Sequence, residues 1–195
     1  MTRTHKTTAV VVLATAAFSG TLLAAMAPGG PDGVSPEQKA RIERGAHLVA
    51  SMGCDDCHTP FKMGPNGPEK DLARRLTGHP QEMVMPPAPP PSGPWIGHTG
   101  ATGTAFAGPW GVSFTANLTP DKETGLGSWT EEMFIATART GRHQGKGRPV
   151  LPPMPINILN ALEDEDLRSI FAYLQSLAPV KNRVPAPVDA VDGSK

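Results

Sequence analysis

The chain has 195 residues, and 18 Lys and Arg balance 18 Asp and Glu to a formal net charge of zero, which argues against nucleic acid as a partner. This length suits one domain with extensions, large enough to bury a stable core without disulfides. Glycine (21) and proline (22) crowd the middle of the chain but fall short of a disordered composition, so long ordered loops around a few helices are expected.

In chain order, Arg3 and Lys6 precede an uncharged, largely apolar run from Thr7 to Ala27 that closes on small residues, the pattern of an export signal. A bilayer is spanned by about 20 such residues, and Pro28 follows the small-x-small site Ala25–Ala27. Residues 1–27 therefore read as either a cleaved signal or a membrane anchor through 7–27, and both place the rest in the periplasm or on the outer face of the inner membrane. A first helix is expected in "SPEQKARIERGAHLVASMG", with Ser35 and Gln38 as a capping box and Pro36 at the first helical position. Ile42, Ala46 and Val49 share one face, and Gly45 inside the helix points to close approach by another helix.

Next comes Cys54-Asp55-Asp56-Cys57-His58, which holds both cysteines of the chain. A disulfide across so small a loop would contribute little stability, so the spacing points to chemistry. Four readings compete. Two thiols can add to the vinyl groups of a haem while the adjacent histidine ligates its iron. A thioredoxin-like pair would have no special place for His58, and the alternating strand and helix pattern of that fold is missing. Zinc would need a further paired motif, and His5, His47, His79, His98 and His143 form no pair at ligand spacing. The fourth reading is coincidence, which is rare for this arrangement. Covalent haem explains all three residues.

A His-ligated iron takes a second ligand on its other face or stays open to small molecules, and a methionine thioether suits electron transfer. Met52 and Met63 lie close to the attachment motif, and Met133 sits in a helical pattern. Met85 in "EMVMPPAPPP" and Met154 in "RPVLPPMPINIL" are held extended by neighbouring prolines. Met154 has prolines on both sides, whereas Met85 opens a polyproline run, and Met154 is preferred.

Two further helices are expected. "SWTEEMFIATARTG" offers Ser128 with Glu131 as cap and Gly141 as stop. "EDEDLRSIFAYLQSLAP" opens on four acids that suit the helix dipole, carries Leu167, Ile170, Phe171, Leu174 and Leu177 as an apolar stripe, and ends at Pro179.

The order helix, Cys-x-x-Cys-His, long loop, helix, methionine loop, helix resembles a class I cytochrome c. More narrowly, "GVSFTANLTPDKETGLGSWTEEMFIATARTG" followed by "LPPMP" is similar to the haem domains of cytochrome c subunits of membrane-bound alcohol and sugar-acid dehydrogenases, over about residues 40–187. Those subunits usually carry several haem motifs where this chain has one, and their last helix often starts on a serine where this chain has Glu163. The resemblance implies an all-α, cytochrome c-like fold with long Pro/Gly-rich loops: a domain over 28–188 with an insert at about 64–111, and a flexible tail at 189–195. It implies a close crossing of the first and last helices, with Gly45 against the Phe171/Tyr173 face. It also implies one covalently bound haem c, with Cys54 and Cys57 as thioether sites, His58 as proximal ligand and Met154 as distal ligand. The function implied is electron transport by a carrier that is not itself an enzyme, between a dehydrogenase donor and an oxidase or other cytochrome acceptor. A c-type haem protein with an open distal site, binding ligands or catalysing, is the competing class.

Other signals carry less. The calcium-loop echo at Asp121–Glu132 lacks its glycine, and the phosphate-loop echo at Gly141–Gly147 has the wrong spacing. Asn117-Leu118-Thr119 fits a glycosylation acceptor but is followed by Pro120. No acid occurs from Met133 to Leu162, where Arg139, Arg142, Lys146 and Arg148 form either a solvated loop or a docking patch for an acidic partner. Trp110 and Trp129 are expected either beside the haem or in the core.

Overall fold

The computed structural model describes residues 33–90 and 93–190, so the expected export segment and most of the expected tail lie outside the described residues. Among the described residues the helices are α1 (Pro36–Ser51), α2 (Cys54–His58), α3 (Glu131–Thr140), α4 (Ile156–Ala161) and α5 (Asp164–Ser176). The strands are β1 (Phe61–Gly64), β2 (Gly67–Lys70), β3 (His98–Thr99), β4 (Ala105–Gly108) and β5 (Gly111–Phe114). None of these helices is long and apolar enough to cross a membrane.

The two long helices begin as their sequences direct. Ser35 Oγ accepts the Gln38 amide at 3.2 Å and Pro36 opens α1. Glu163 stands at the α5 cap without a side-chain capping bond, and Asp164, Glu165 and Asp166 occupy its first turn. The helices cross at Gly45, where a Cβ would overlap the Ser169 carbonyl and the Tyr173 Cβ, so only glycine permits this approach. The expected contact with Phe171 is replaced by Ser169, and Phe171 stacks instead on Phe134 of α3, centroids 5.5 Å apart. Leu48 and Val49 of α1 and Ile170 and Leu174 of α5 form the core with Leu76 and Leu126. A second cluster joins Ala138, Leu159 and Leu167 where α3, α4 and α5 meet.

Two local expectations shift. The α3 cap is Thr130, whose Oγ1 accepts the Met133 amide at 3.3 Å, because Leu126–Trp129 closes as a turn through the Trp129 amide and leaves Ser128 outside the helix. Gly141 ends α3 at φ 65°, as its position suggested. The methionine loop leads into the separate short helix α4 before α5 begins.

The all-α expectation is corrected: the helices are joined by two small antiparallel sheets. β1 and β2 form a hairpin closed at Gly64↔Gly67, and β3, β4 and β5 a meander with Ala105↔Phe114 and Gly108↔Gly111 paired. Tight turns at Pro65–Asn66 and Pro109–Trp110 bring short segments back on themselves, so Pro65 and Pro109 sit in turns where their missing N–H costs nothing. The region expected as a Pro/Gly-rich insert therefore carries strands at both ends, and β5 delivers Ser113 and Phe114 to the wall of a cavity of about 430 Å³.

Candidate functional site

Gly53, at φ 70°, turns the chain out of α1 into the single helical turn α2, which carries the cysteines and His58. The His58 ring is buried and its Nδ1–H donates to the Ala116 carbonyl at 2.8 Å. A carbonyl can only accept, so this bond sets the tautomer and leaves the Nε2 lone pair free. Burial lowers the His58 pKa, which keeps the imidazole neutral.

The acids between the cysteines are tied down by tertiary contacts. Arg75 holds Asp55 through two bonds, Nε to Oδ1 at 2.8 Å and a terminal nitrogen to Oδ2 at 2.7 Å, and also donates to the Tyr173 hydroxyl of α5. Thr59 Oγ1 donates to Asp55 at 3.0 Å and accepts the amide of Leu76, itself in the left-handed region at φ 60°. Burial alone would raise the Asp55 pKa, but the bonds from Arg75 and Thr59 outweigh it and the net shift is downward. Lys70 of β2 reaches Asp56 at 2.7 Å. Sequence reasoning missed this clamp: Arg75 lies 20 residues from Asp55, and no local pattern joins them.

Both thiols are pushed toward the protonated form. Burial, then the Asp55 charge, raises the Cys54 pKa to about 11, and burial, then Asp56, raises that of Cys57. Thiol–disulfide chemistry needs a depressed pKa, so this environment disfavours a thioredoxin-like pair.

Cys54, Cys57, His58 and Met154 line one cavity of about 430 Å³, walled by apolar side chains that include Leu126, Trp129 and Phe134. The loop carrying Met154 is anchored to β5, where Ser113 Oγ donates to the Pro152 carbonyl. Met85 lines a different, smaller pocket with His98, Gly100 and Ala105. Trp129 meets the His143 ring edge-on at 4.9 Å, whereas Trp110 packs beside Gly97 and Gly108, away from this cavity. His143 and Arg148 reach the cavity lining. Arg139 does not join them, being held by Asp164 and the Asn160 and Leu162 carbonyls.

A haem fits these residues. The donor set of a neutral imidazole and a thioether is that of a low-spin haem, and the volume falls within the roughly 300–1,000 Å³ of cofactor pockets. Thr115 Oγ1 in the same lining is buried without a hydrogen-bond partner, a place for a polar atom of a bound group. Among the described residues no cluster of three or more His, Cys, Asp and Glu side chains is arranged to hold a metal ion by itself.

No family model matches the chain. One of the subunits of nicotinate dehydrogenase from Pseudomonas putida is 30% identical over 163 residues, which cover 84% of this chain and 11% of that protein. The fructose dehydrogenase cytochrome subunit of Gluconobacter japonicus is 28% identical over 152 residues, 75% of this chain and 24% of that protein. The cytochrome c subunit of the quinone alcohol dehydrogenase of Gluconobacter oxydans is 34% identical over 97 residues, 46% of this chain and 20% of that protein. This chain thus spans between about a tenth and a quarter of the length of these relatives. Over that part of their length the chain is similar to cytochrome subunits of dehydrogenases, which supports a cytochrome c-like relationship.

Proposed function

We propose that the chain is an exported monohaem c-type cytochrome that carries single electrons from a dehydrogenase to a downstream acceptor, an oxidase or another cytochrome. The observation that carries this reading is the apolar cavity shared by the Cys-x-x-Cys-His turn and Met154, residues up to 100 positions apart. Cys54 and Cys57 would hold the haem through thioether bonds, and His58 Nε2 and the Met154 sulfur would bind its iron. When bound, the haem supplies a one-electron iron couple. The Ala116 carbonyl orients the imidazole, the Arg75–Asp55 clamp holds the attachment turn against α5, and the apolar walls exclude water. The chain then performs no bond chemistry of its own, and the dehydrogenase partner follows from what the relatives are named for.

The test is a reduced-minus-oxidised visible spectrum of protein made with haem-maturation machinery, paired with a haem stain after denaturing electrophoresis. Covalent haem, a low-spin spectrum and a weak far-red methionine–iron band are expected. A high-spin spectrum that binds carbon monoxide in the native protein would move the function to ligand binding or catalysis. A chain without haem would overturn the reading.

A further inference from the structure

Nine of the fifteen Lys and Arg side chains among the described residues are ion-paired: Arg41, Arg44, Lys62, Lys70, Arg74, Arg75, Arg139, Arg168 and Lys181. Of the six without such a partner, Arg142, Lys146 and Arg148 fall within seven consecutive positions, and all three are exposed. The nearest acids in sequence are Glu132 and Glu163, so the local excess of positive charge has nothing nearby in the chain to cancel it. Arg139, the one other cation in that stretch, is drawn away to Asp164.

The loop that presents these charges is built rather than frayed. Gly141 turns it out of α3, Arg142 pairs with Pro149 in a β-bridge, and the His143 amide donates to the Arg148 carbonyl at 2.9 Å. The Gly147 amide donates to the His143 carbonyl at 2.8 Å, and the Arg142 guanidinium to the Gly147 carbonyl at 2.9 Å. A Cβ on Gly145, at φ 81°, would press on Ala136, so the loop lies flat on α3. Its His143 and Arg148 side chains border the cavity itself.

We propose that residues 142–148 form the docking surface for a redox-partner protein that presents acidic side chains around its own electron-exchange site. This rests on the proposed carrier function and names the face through which the electron passes. Charges fixed at the edge of the cavity steer an oppositely charged protein to the shortest transfer path. An anionic lipid surface would be drawn by the same side chains, but it would cover the cavity edge from which an electron must leave, which favours a protein. Because the chain carries no net positive charge, a rate with an anionic oxidant that falls as salt rises reports the local positive field and not the global one.

The experiment uses the haem-loaded full chain, reduced, with two small oxidants of opposite charge: hexacyanoferrate(III) and tris(phenanthroline)cobalt(III). Each takes one electron, so haem iron goes from Fe(II) to Fe(III) while the reagent metal goes from (III) to (II). The hexacyanoferrate rate is expected to fall roughly threefold to tenfold from low salt to about 0.2 M, and the cobalt rate to rise or stay flat. Lys146→Glu should weaken this contrast and Arg142→Glu/Lys146→Glu should reverse it, while Lys39→Glu, on α1, leaves it unchanged. Should Arg142→Glu disturb the loop, the single Lys146→Glu variant still decides. Equal salt dependence for both reagents, or wild-type rates in the loop variants, would overturn the docking surface and leave the carrier intact. Loss of binding to phosphatidylglycerol vesicles with unchanged rates would assign the loop to a membrane and overturn it as well. A chain with no redox-active haem would sink the carrier reading and this surface with it.

Discussion

At the residue scale, single polar contacts decide what His58 and the cysteines can do. With Nδ1–H given to the Ala116 carbonyl, Nε2 is the nitrogen left for a metal, and two thioethers line its cavity: Met52, beside the cysteine turn, and Met154, 100 positions from Cys54. Met154→Ala is expected to lower the reduction potential by on the order of 0.1 V and to let carbon monoxide bind the reduced protein, as potentiometry and absorbance titration would show. Met85→Ala, in the smaller pocket, should change neither. Arg75 is the matching case for stability. Arg75→Gln leaves Asp55, only 21% exposed, without its cation, and should cost about 1–3 kcal/mol in urea unfolding near pH 7. The folded pKa of Asp55 is depressed, so its contribution is present above the unfolded value of about 3.9 and is lost as pH falls through the lower folded value. The gap between wild type and Arg75→Gln should therefore narrow in acid. A gap independent of pH would mean that Arg75 acts by packing alone.

At the scale of elements, helix ends follow local chemistry, but which of two local signals wins depends on the neighbouring turn. Ser128 and Thr130 both precede α3 within reach of a capping role. The turn at Leu126–Trp129 takes Ser128 out of play, so Thr130 caps. Thr130→Ala should cost about 1 kcal/mol in a denaturant midpoint analysis, and Ser128→Ala within about 0.5 kcal/mol of nothing. The sheets show the same competition. Pro65-Asn66-Gly67 and Gly108-Pro109-Trp110-Gly111 are turn signals flanked by residues that can pair, but the density of proline from Pro86 to Pro94 makes the whole region read as a loop insert. The strand β3 has only two residues, too short for an alternating pattern, and the turn that pairs it with β4 closes through the Gly100 and Gly103 amides.

At the scale of the molecule, the cavity stands where a core would be. Its apolar walls come from α1, α3, α4, α5 and β5 together, so a group held there buries apolar surface of all of them at once and stabilises the folded chain. Cys54→Ala/Cys57→Ala, made without covalent haem, is therefore expected to lose its cooperative thermal transition and near-ultraviolet circular dichroism while keeping much of its helical signal. A sharp unfolding transition in that variant would show that the walls collapse to fill the space. Sequence alone determined the Cys-x-x-Cys-His turn, the Ser35 cap, the Gly141 stop and the apolar stripe of α5, because each rests on interactions within one or two turns of chain. It could not place Met154 at the cavity of the cysteine turn and Met85 in another pocket, pair Asp55 with Arg75 or turn Arg139 toward Asp164. Only the tertiary structure did so, because each of those outcomes depends on residues distant in the chain meeting across the α1–α5 crossing and the cavity beside it.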